Sequence, residues 1–360
     1  MIQVWSNFLL EREIQNLQHA ISNKYIMEGP ILKEFQERLK DILNVRHVIG
    51  TASGTAALAL ALMGIGIQPG DEVIVPDLTF IATANAACLL GAKVLVAQTQ
   101  PDRPLLDLAK IDALVTQKTK AIITVDLNGR ISGSRELKDK YSSKGIYIID
   151  DACQALMSGP QSGMAGTQAD IGCYSFGITK TVSTVNGGLV VTDHDDLYER
   201  MRVMKTQGME SVFESDTYIY PGFNFKLPDV LAAIGNAQLD CLDEKLRHMR
   251  EIDDMYREGL AGVEGISFLD KKEDEFIWMT DILCSNRDRV REVLMEKEIL
   301  SRPLGAPLHT AGFLVKRGNY ENSTDLQNKI LYLPGGPNQD LKNIEKVIKT
   351  LKNSDLIGEN

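Results

Sequence analysis

The chain has no apolar run of membrane-spanning length, no surplus of basic residues, and no cluster of cysteine or histidine, and each absence removes a class of function. Acidic residues outnumber basic ones by 49 to 39, giving a formal net charge of −10. A broad nucleic-acid or anionic-membrane surface needs a basic face to displace counterions, so neither partner is expected. The five cysteines, Cys88, Cys153, Cys173, Cys241 and Cys284, are an odd number without metal-type spacing, and the five histidines are scattered. Reduced thiols in a cytoplasmic protein are therefore expected, with no bound metal. The first 13 residues carry acids at Glu11 and Glu13 and lack the basic, apolar and small-residue order of a secretory signal.

What is present is a chain of 360 residues, 44% hydrophobic and 24% charged, long enough for a large core and two domains. Helical periodicity marks residues 9–21 and 30–43, the second with Ile31, Phe35, Leu39 and Ile42 on one stripe. A strand at 45–49 runs through Thr51-Ala52-Ser53-Gly54-Thr55 into an apolar helix at 56–63. That turn is a place where backbone N–H groups hold a phosphate, or where Ser53 or Thr55 simply caps the helix. The glycines of residues 64–70 imitate a dinucleotide fingerprint, yet they follow a helix and precede a strand, the reverse of the required order.

From residue 72, strands at 73–75, 94–96, 121–125 and 146–149 alternate with helices at 81–90, 108–115 and 135–142. Such alternation predicts an α/β fold with a mostly parallel central sheet flanked by helices. Ligands of such sheets lie beyond the carboxyl ends of the strands. Those ends carry residues 77–80, Asn128-Gly129, Asp150-Asp151 with Gln154, and the segment from Ser175 to Lys180. Asp151, Ser175 and Lys180 all reach one crevice in this topology. Judged on its own stretch, 172–188, Lys180 is either a covalent anchor or a solvated loop lysine. Further on come a strand at 188–192, a helix at 195–205, an aperiodic loop at 206–223 of functional length, a small-residue helix at 228–240 and a charged helix at 244–260. Short strands at 266–269, 277–284 and 330–333 and helices at 289–297 and 343–351 predict a smaller α/β domain, with a frayed tail at 354–360. The expected division is 1–243 for the large domain and 244–360 for the small one.

Taken in order, the motifs E-F-Q-E-R-L near Phe35, S-G-T-A-A-L from Ser53, G-D-E-V-I-V-P-D-L-T-F from Gly70, D-D-A-C-Q from Asp150, Y-S-F-G-I-T-K from Tyr174, G-F-N-F-K-L-P from Gly222 and P-L-H from Pro307 resemble the fold-type I, pyridoxal-phosphate (PLP) dependent sugar aminotransferases of the DegT/DnrJ/EryC1/StrS group. The resemblance covers residues 9–351. It implies that Lys180 carries PLP as a Schiff base, that Asp151 pairs with the pyridine nitrogen, that Gln154 reaches the ring hydroxyl and that Phe80 stacks on the ring. It places the phosphate against the amides of Gly54 and Thr55 and the hydroxyl of Ser175, with Asn224 reaching in from the neighbouring subunit of a homodimer. It also implies glutamate as amino donor and a nucleotide-linked keto-deoxysugar as acceptor, in surface-polysaccharide or antibiotic sugar synthesis. Lys226, Tyr218 and Tyr220 are the candidates for holding that anionic substrate, with simple packing of the 206–223 loop on a neighbour as the alternative. The chain departs from the group's pattern at Lys226, commonly arginine, Gln207, often histidine, Gln98, often aspartate, and Tyr25, often tryptophan. Lys226 has lost a bidentate fork, so substrate identity is not carried over. Two other readings from the same resemblance are a PLP-dependent sugar dehydratase, which has histidine where Lys180 stands, and a non-catalytic PLP- or sugar-binding member.

Overall fold

A computed structural model describes residues 1–7, 11–161, 163–210 and 217–357. Leu9 and Leu10 of the first expected helix, residues 211–216 of the expected loop and residues 358–360 of the tail lie outside the described residues. The first half of the chain forms α1 (Glu11–Ser22), α2 (Pro30–Leu43), β1 (His47–Thr51), α3 (Gly54–Gly64), β2 (Glu72–Pro76), α4 (Ala82–Leu89), β3 (Lys93–Ala97), β4 (Thr119–Val125), α5 (Ser134–Tyr141) and β5 (Tyr147–Asp151). There follow β6 (Ile171–Ser175), β7 (Gly188–Thr192), α6 (Asp195–Met204), α7 (Asp229–Asp240), α8 (Leu242–Gly259), β8 (Ile266–Phe268) and β9 (Asp281–Cys284). The chain ends with α9 (Arg287–Glu296), β10 (Arg302–Pro303), β11 (Val315–Lys316), α10 (Glu321–Lys329), β12 (Ile330–Tyr332) and α11 (Leu341–Lys352).

An eight-stranded sheet runs β1-β7-β6-β5-β4-β2-β3-β11, parallel from β6 to β11 and antiparallel where β7 joins β6 and β1. Val73, Ile74 and Val75 show why the sheet sits in the middle: an unbroken β-branched run must be covered on both faces, and all three are fully buried. α3 has no polar side, and it is accordingly wedged among α4, α6, β6 and β7. The expected helix at 108–115 is a short 3-10 segment, Leu108–Ala113, held at its start by the Asp107 carboxylate. Of the strand expected at 277–284, only Asp281–Cys284 is paired.

A second, antiparallel sheet runs β10-β12-β9-β8 and packs Ile282 and Leu331 against Ile252 and Tyr256 of α8, Leu294 of α9 and Ile344 and Val347 of α11. The chain passes between the sheets more than once. Ile2 belongs to the core around the second sheet, and β11 pairs with β3 of the first. Neither crossing has a strong signature, because β11 has two residues and the bridges of Ile2 and Trp5 are single pairs.

One buried polar knot joins the sheets. Arg130, following β4, grips Asp281 of β9 with both arms, at 2.8 and 2.7 Å, and both side chains are within 1% of complete burial. Asn128 donates to the same carboxylate at 2.9 Å and to the Met279 carbonyl at 2.8 Å, while its own amide oxygen accepts from Met279 N. This geometry holds Asn128 at φ +54°, in the left-handed region that asparagine tolerates. At Gly129, φ +84°, any Cβ would overlap the Phe276 carbonyl. Removing one partner of such a pair leaves an uncompensated buried charge. Asp281→Ala should therefore lower the unfolding free energy by about 3–5 kcal/mol in urea denaturation, and Arg130→Met combined with Asp281→Leu should recover most of the loss.

Candidate active site

The carboxyl ends of β2, β4, β5 and β6, the start of α3 and the inner edge of the second sheet enclose a cavity of about 720 Å³. Gly54, Thr55, Phe80, Asp151, Gln154, Ser175 and Lys180 all line it, joined by Trp278, Arg302 and Tyr332 from the second sheet and its approaches. Asp151, Lys180 and Arg302 are the charged residues in that lining among the described residues.

Asp151 is the last residue of β5 and Asp150 its neighbour, so strand alternation turns them to opposite sides. Asp150 is consumed by structure: it accepts from Thr124 Oγ1 at 2.8 Å, Ser132 Oγ at 3.4 Å and Gly166 N at 3.2 Å. Burial pushes Asp150 up from the ordinary carboxylate range, and pushes the adjacent Asp126 up further, with the Asp150 charge adding to it. Asp151 is 5% exposed and accepts from Thr83 Oγ1 at 2.7 Å and Cys153 N at 3.2 Å. Thr79 Oγ1 in turn lies 2.8 Å from Thr83 Oγ1. Both hydrogen-bond partners of Asp151 are neutral. A nearly buried carboxylate that is aimed into a cavity without an ion pair fits a ligand that brings its own positive charge.

Lys180 follows β6 across the turn from Gly177, whose carbonyl accepts from Lys180 N at 2.9 Å. Loss of water on burial lowers the ammonium pKa; the Asp151 charge opposes the shift and the Arg302 charge adds to it. The loop backbone is tied from outside: Asn7 donates to the carbonyls of Ile178 and Lys180, both at 3.2 Å, and Trp278 Nε1 donates to the Thr179 carbonyl at 2.9 Å.

The start of α3 is shaped for an anion. Ser53 caps the helix by accepting from Ala56 N at 3.1 Å, which leaves the earlier amides of Gly54 and Thr55 to a ligand. Gly54 must be bare, because a Cβ would stand 2.8 Å from Cys153 Sγ and 2.9 Å from Ser175 Cβ. Gln154 is oriented by its Oε1, which accepts from Asn128 N at 3.0 Å, so its NH2 is the end available to the cavity. Phe80, 61% exposed, offers a ring at the rim. A lysine whose burial lowers its pKa, a carboxylate without an ion pair, an amide cradle, a side-chain amide and an exposed ring together fit the groups of a pyridine aldehyde phosphate.

Four expected residues lie elsewhere. Asn224 is exposed and bridges Thr206, Lys226 is half-buried, and Tyr218 and Tyr220 are 78% and 37% exposed; none lines the cavity of this chain. Conversely, Thr83, Trp278 and Arg302 were not among the residues expected from the sequence, whereas Asn128 was expected at a strand end and orients Gln154 from there. For Thr83 a signal existed, since Thr79 and Thr83 stand one helical turn apart. For Trp278 and Arg302 the chain carries no local mark.

Comparison with known proteins identifies the family. The chain is 34% identical over 294 residues to the GDP-perosamine synthase of Caulobacter vibrioides, covering 78% of each chain. It is 31% identical over 313 residues to the GDP-perosamine synthase of Escherichia coli O157:H7, covering 86% of each. A crystal structure of a DegT DnrJ EryC1 StrS aminotransferase from Brucella abortus superposes with a TM-score of 0.88 at 27% identity, over 95% of this chain and 94% of that one. The profile of the DegT/DnrJ/EryC1/StrS aminotransferase family matches residues 8–352, and the chain belongs to that family.

Proposed function

We propose that this protein transfers an amino group from glutamate to the keto group of a nucleotide-linked deoxysugar, for surface-polysaccharide or antibiotic sugar synthesis, using PLP held covalently on Lys180. The observation that carries the reading is the convergence of Lys180, the unpaired Asp151 carboxylate and the amide cradle of α3 in one cavity. The named activity of the two relatives supports the acceptor class. Lysine at position 180, where the dehydratase pattern requires histidine, supports amino transfer over dehydration.

When bound, the cofactor supplies an electron sink that acidifies the carbon bearing the amine. Asp151 would hold the ring nitrogen charged, which is what makes the sink effective. Gly54 N, Thr55 N and Ser175 Oγ would hold the phosphate, Gln154 Nε2 would donate to the ring oxygen and Phe80 would cover the ring face. Lys180 Nζ, when its amine is free, would take up and return the proton of the reacting carbon. Burial lowers its pKa, which makes the neutral, proton-accepting amine easier to reach.

The active unit in this reading is a homodimer in which Asn224 of one copy completes the phosphate site of the other, with Lys226, Tyr218 and Tyr220 at the entrance for the sugar nucleotide. Support comes from what a single chain leaves uncovered: Tyr25, Ile26, Met27, Tyr218, Ile219 and Phe223 are all exposed, an apolar surface of the kind that interfaces bury. Free thiols at all five cysteines support a cytoplasmic site of action. Among the described residues no helix is long and apolar enough to cross a membrane.

Lys180→Ala should fold yet lose borohydride-fixed cofactor on mass spectrometry together with turnover; cofactor fixed on another lysine would move the anchor. Asp151→Asn should keep the cofactor and transaminate slower by roughly two or more powers of ten, and near wild-type turnover would remove Asp151 from the electron-sink role. Mixing inactive Lys180→Ala with a crippled Asn224→Ala variant should restore activity after subunit exchange, through mixed dimers with one intact site. Exchanged mixtures that stay inactive would show that the site is not shared.

A further inference from the structure

Lys180 Nζ lies 4.3 Å from the centroid of the Trp278 ring. The other lysine–ring approaches among the described residues, on Tyr147 and Tyr141, are 4.9 Å or longer. Trp278 is 7% exposed, so its ring meets the ammonium where water is scarce and cation–π attraction is strongest. The ring is also fixed. Its Nε1–H is bonded to the carbonyl of Thr179, immediately before the lysine, and Trp5 packs against it at 5.6 Å between centroids with a 53° tilt. Asn7 holds the same loop through the Lys180 carbonyl. That bond fixes the ring relative to the loop that carries Lys180, so ring and lysine keep one mutual geometry.

The charged and titratable groups facing the lysine are Asp151 and Cys153 at the end of β5 and Arg302 on β10. Asp151 favours the ammonium, Arg302 opposes it, and burial keeps the Cys153 thiol protonated. Between these opposed charges, the contact the amine makes is the ring face, at 4.3 Å from the centroid.

We propose that the face of Trp278 is the docking place of the Lys180 ammonium whenever that amine is not joined to the cofactor, making Trp278 a positioning residue for both the location and the protonation of the lysine. In turnover, the released amine would be kept beside the reacting carbon and out of the substrate's way; that consequence rests on the proposed function, whereas the docking does not.

The test uses the full-length chain stripped of cofactor. In a Trp5→Phe background Trp278 is the sole tryptophan. Its emission should titrate with the midpoint at which trinitrobenzenesulfonate begins to label Lys180, scored by peptide mass spectrometry, and the step should vanish in Lys180→Met. One pH unit below that midpoint, Trp278→Leu should raise Lys180 labelling about three- to tenfold, because the ammonium loses its ring, with Trp278→Phe in between. Emission that stays flat across the labelling midpoint overturns the proposal, as does a labelling profile unmoved by both substitutions. Should Trp278→Leu not fold, the emission titration decides, since it leaves the indole in place. Borohydride fixing the cofactor on a lysine other than Lys180 would sink the proposed function while leaving this titration valid.

Discussion

The architecture turns on one costly arrangement, a carboxylate that is 5% exposed, accepts hydrogen bonds from two neutral groups and faces a cavity. Such a group is tolerated only if hydrogen bonds hold it and if the binding free energy of a cationic ligand outweighs its desolvation. The surrounding elements meet the first condition. β5 delivers Asp151 at its tip, the first turns of α4 bring Thr83 to one oxygen, and the turn after β5 brings Cys153 N to the other. Parallel pairing of β5 with β6 sets Asp151 opposite Cys173, which starts the β6 exit two residues before Ser175 and places the Lys180 loop over the same cavity. Shift that register by one residue and Asp150 would face the cavity while Asp151 took its place in the core.

The second sheet supplies the cavity's far wall, and the Asn128 knot is what ties that wall to the first. The same residue that locks Asp281 and Met279 presents its backbone N–H to Gln154, so sheet docking and the orientation of a ligand-facing amide are one feature. A loosened wall would leave Gln154 free to flip its oxygen toward the cavity, losing a donor without any change in the residues that touch the ligand.

The parts of this arrangement legible in the sequence were those written in consecutive residues. β-branched runs announced the central strands, Ser53-Gly54-Thr55 announced a helix start suited to an anion, and the position of Asp151 and Lys180 at strand ends put both in one crevice before any coordinates. What stayed hidden depends on distant pairings. Arg130 and Asp281 lie 151 positions apart, Trp278 meets Thr179 across 99, and neither partner announces the other. β11 was invisible because two residues make no periodicity; its strand character comes from β3 offering an edge. Tyr218, Tyr220 and Asn224 form a third kind of case: the sequence offered them as site residues, and a single chain does not bring them to its own cavity.

Charge makes the same distinction between whole and part. A formal charge of −10 argues against a protein that gathers polyanions over its surface. It says little about one anionic ligand, because exposed charges farther than about 8–10 Å are screened at physiological salt while those lining a cavity are not. The lining carries Lys180 and Arg302 against Asp151, together with the amides at the start of α3. The cavity thus sets two cations against one carboxylate, a local balance opposite in sign to that of the whole chain. An anion entering the cavity meets that local balance first, with Arg302 on β10 and Lys180 on the loop after β6 both in the lining.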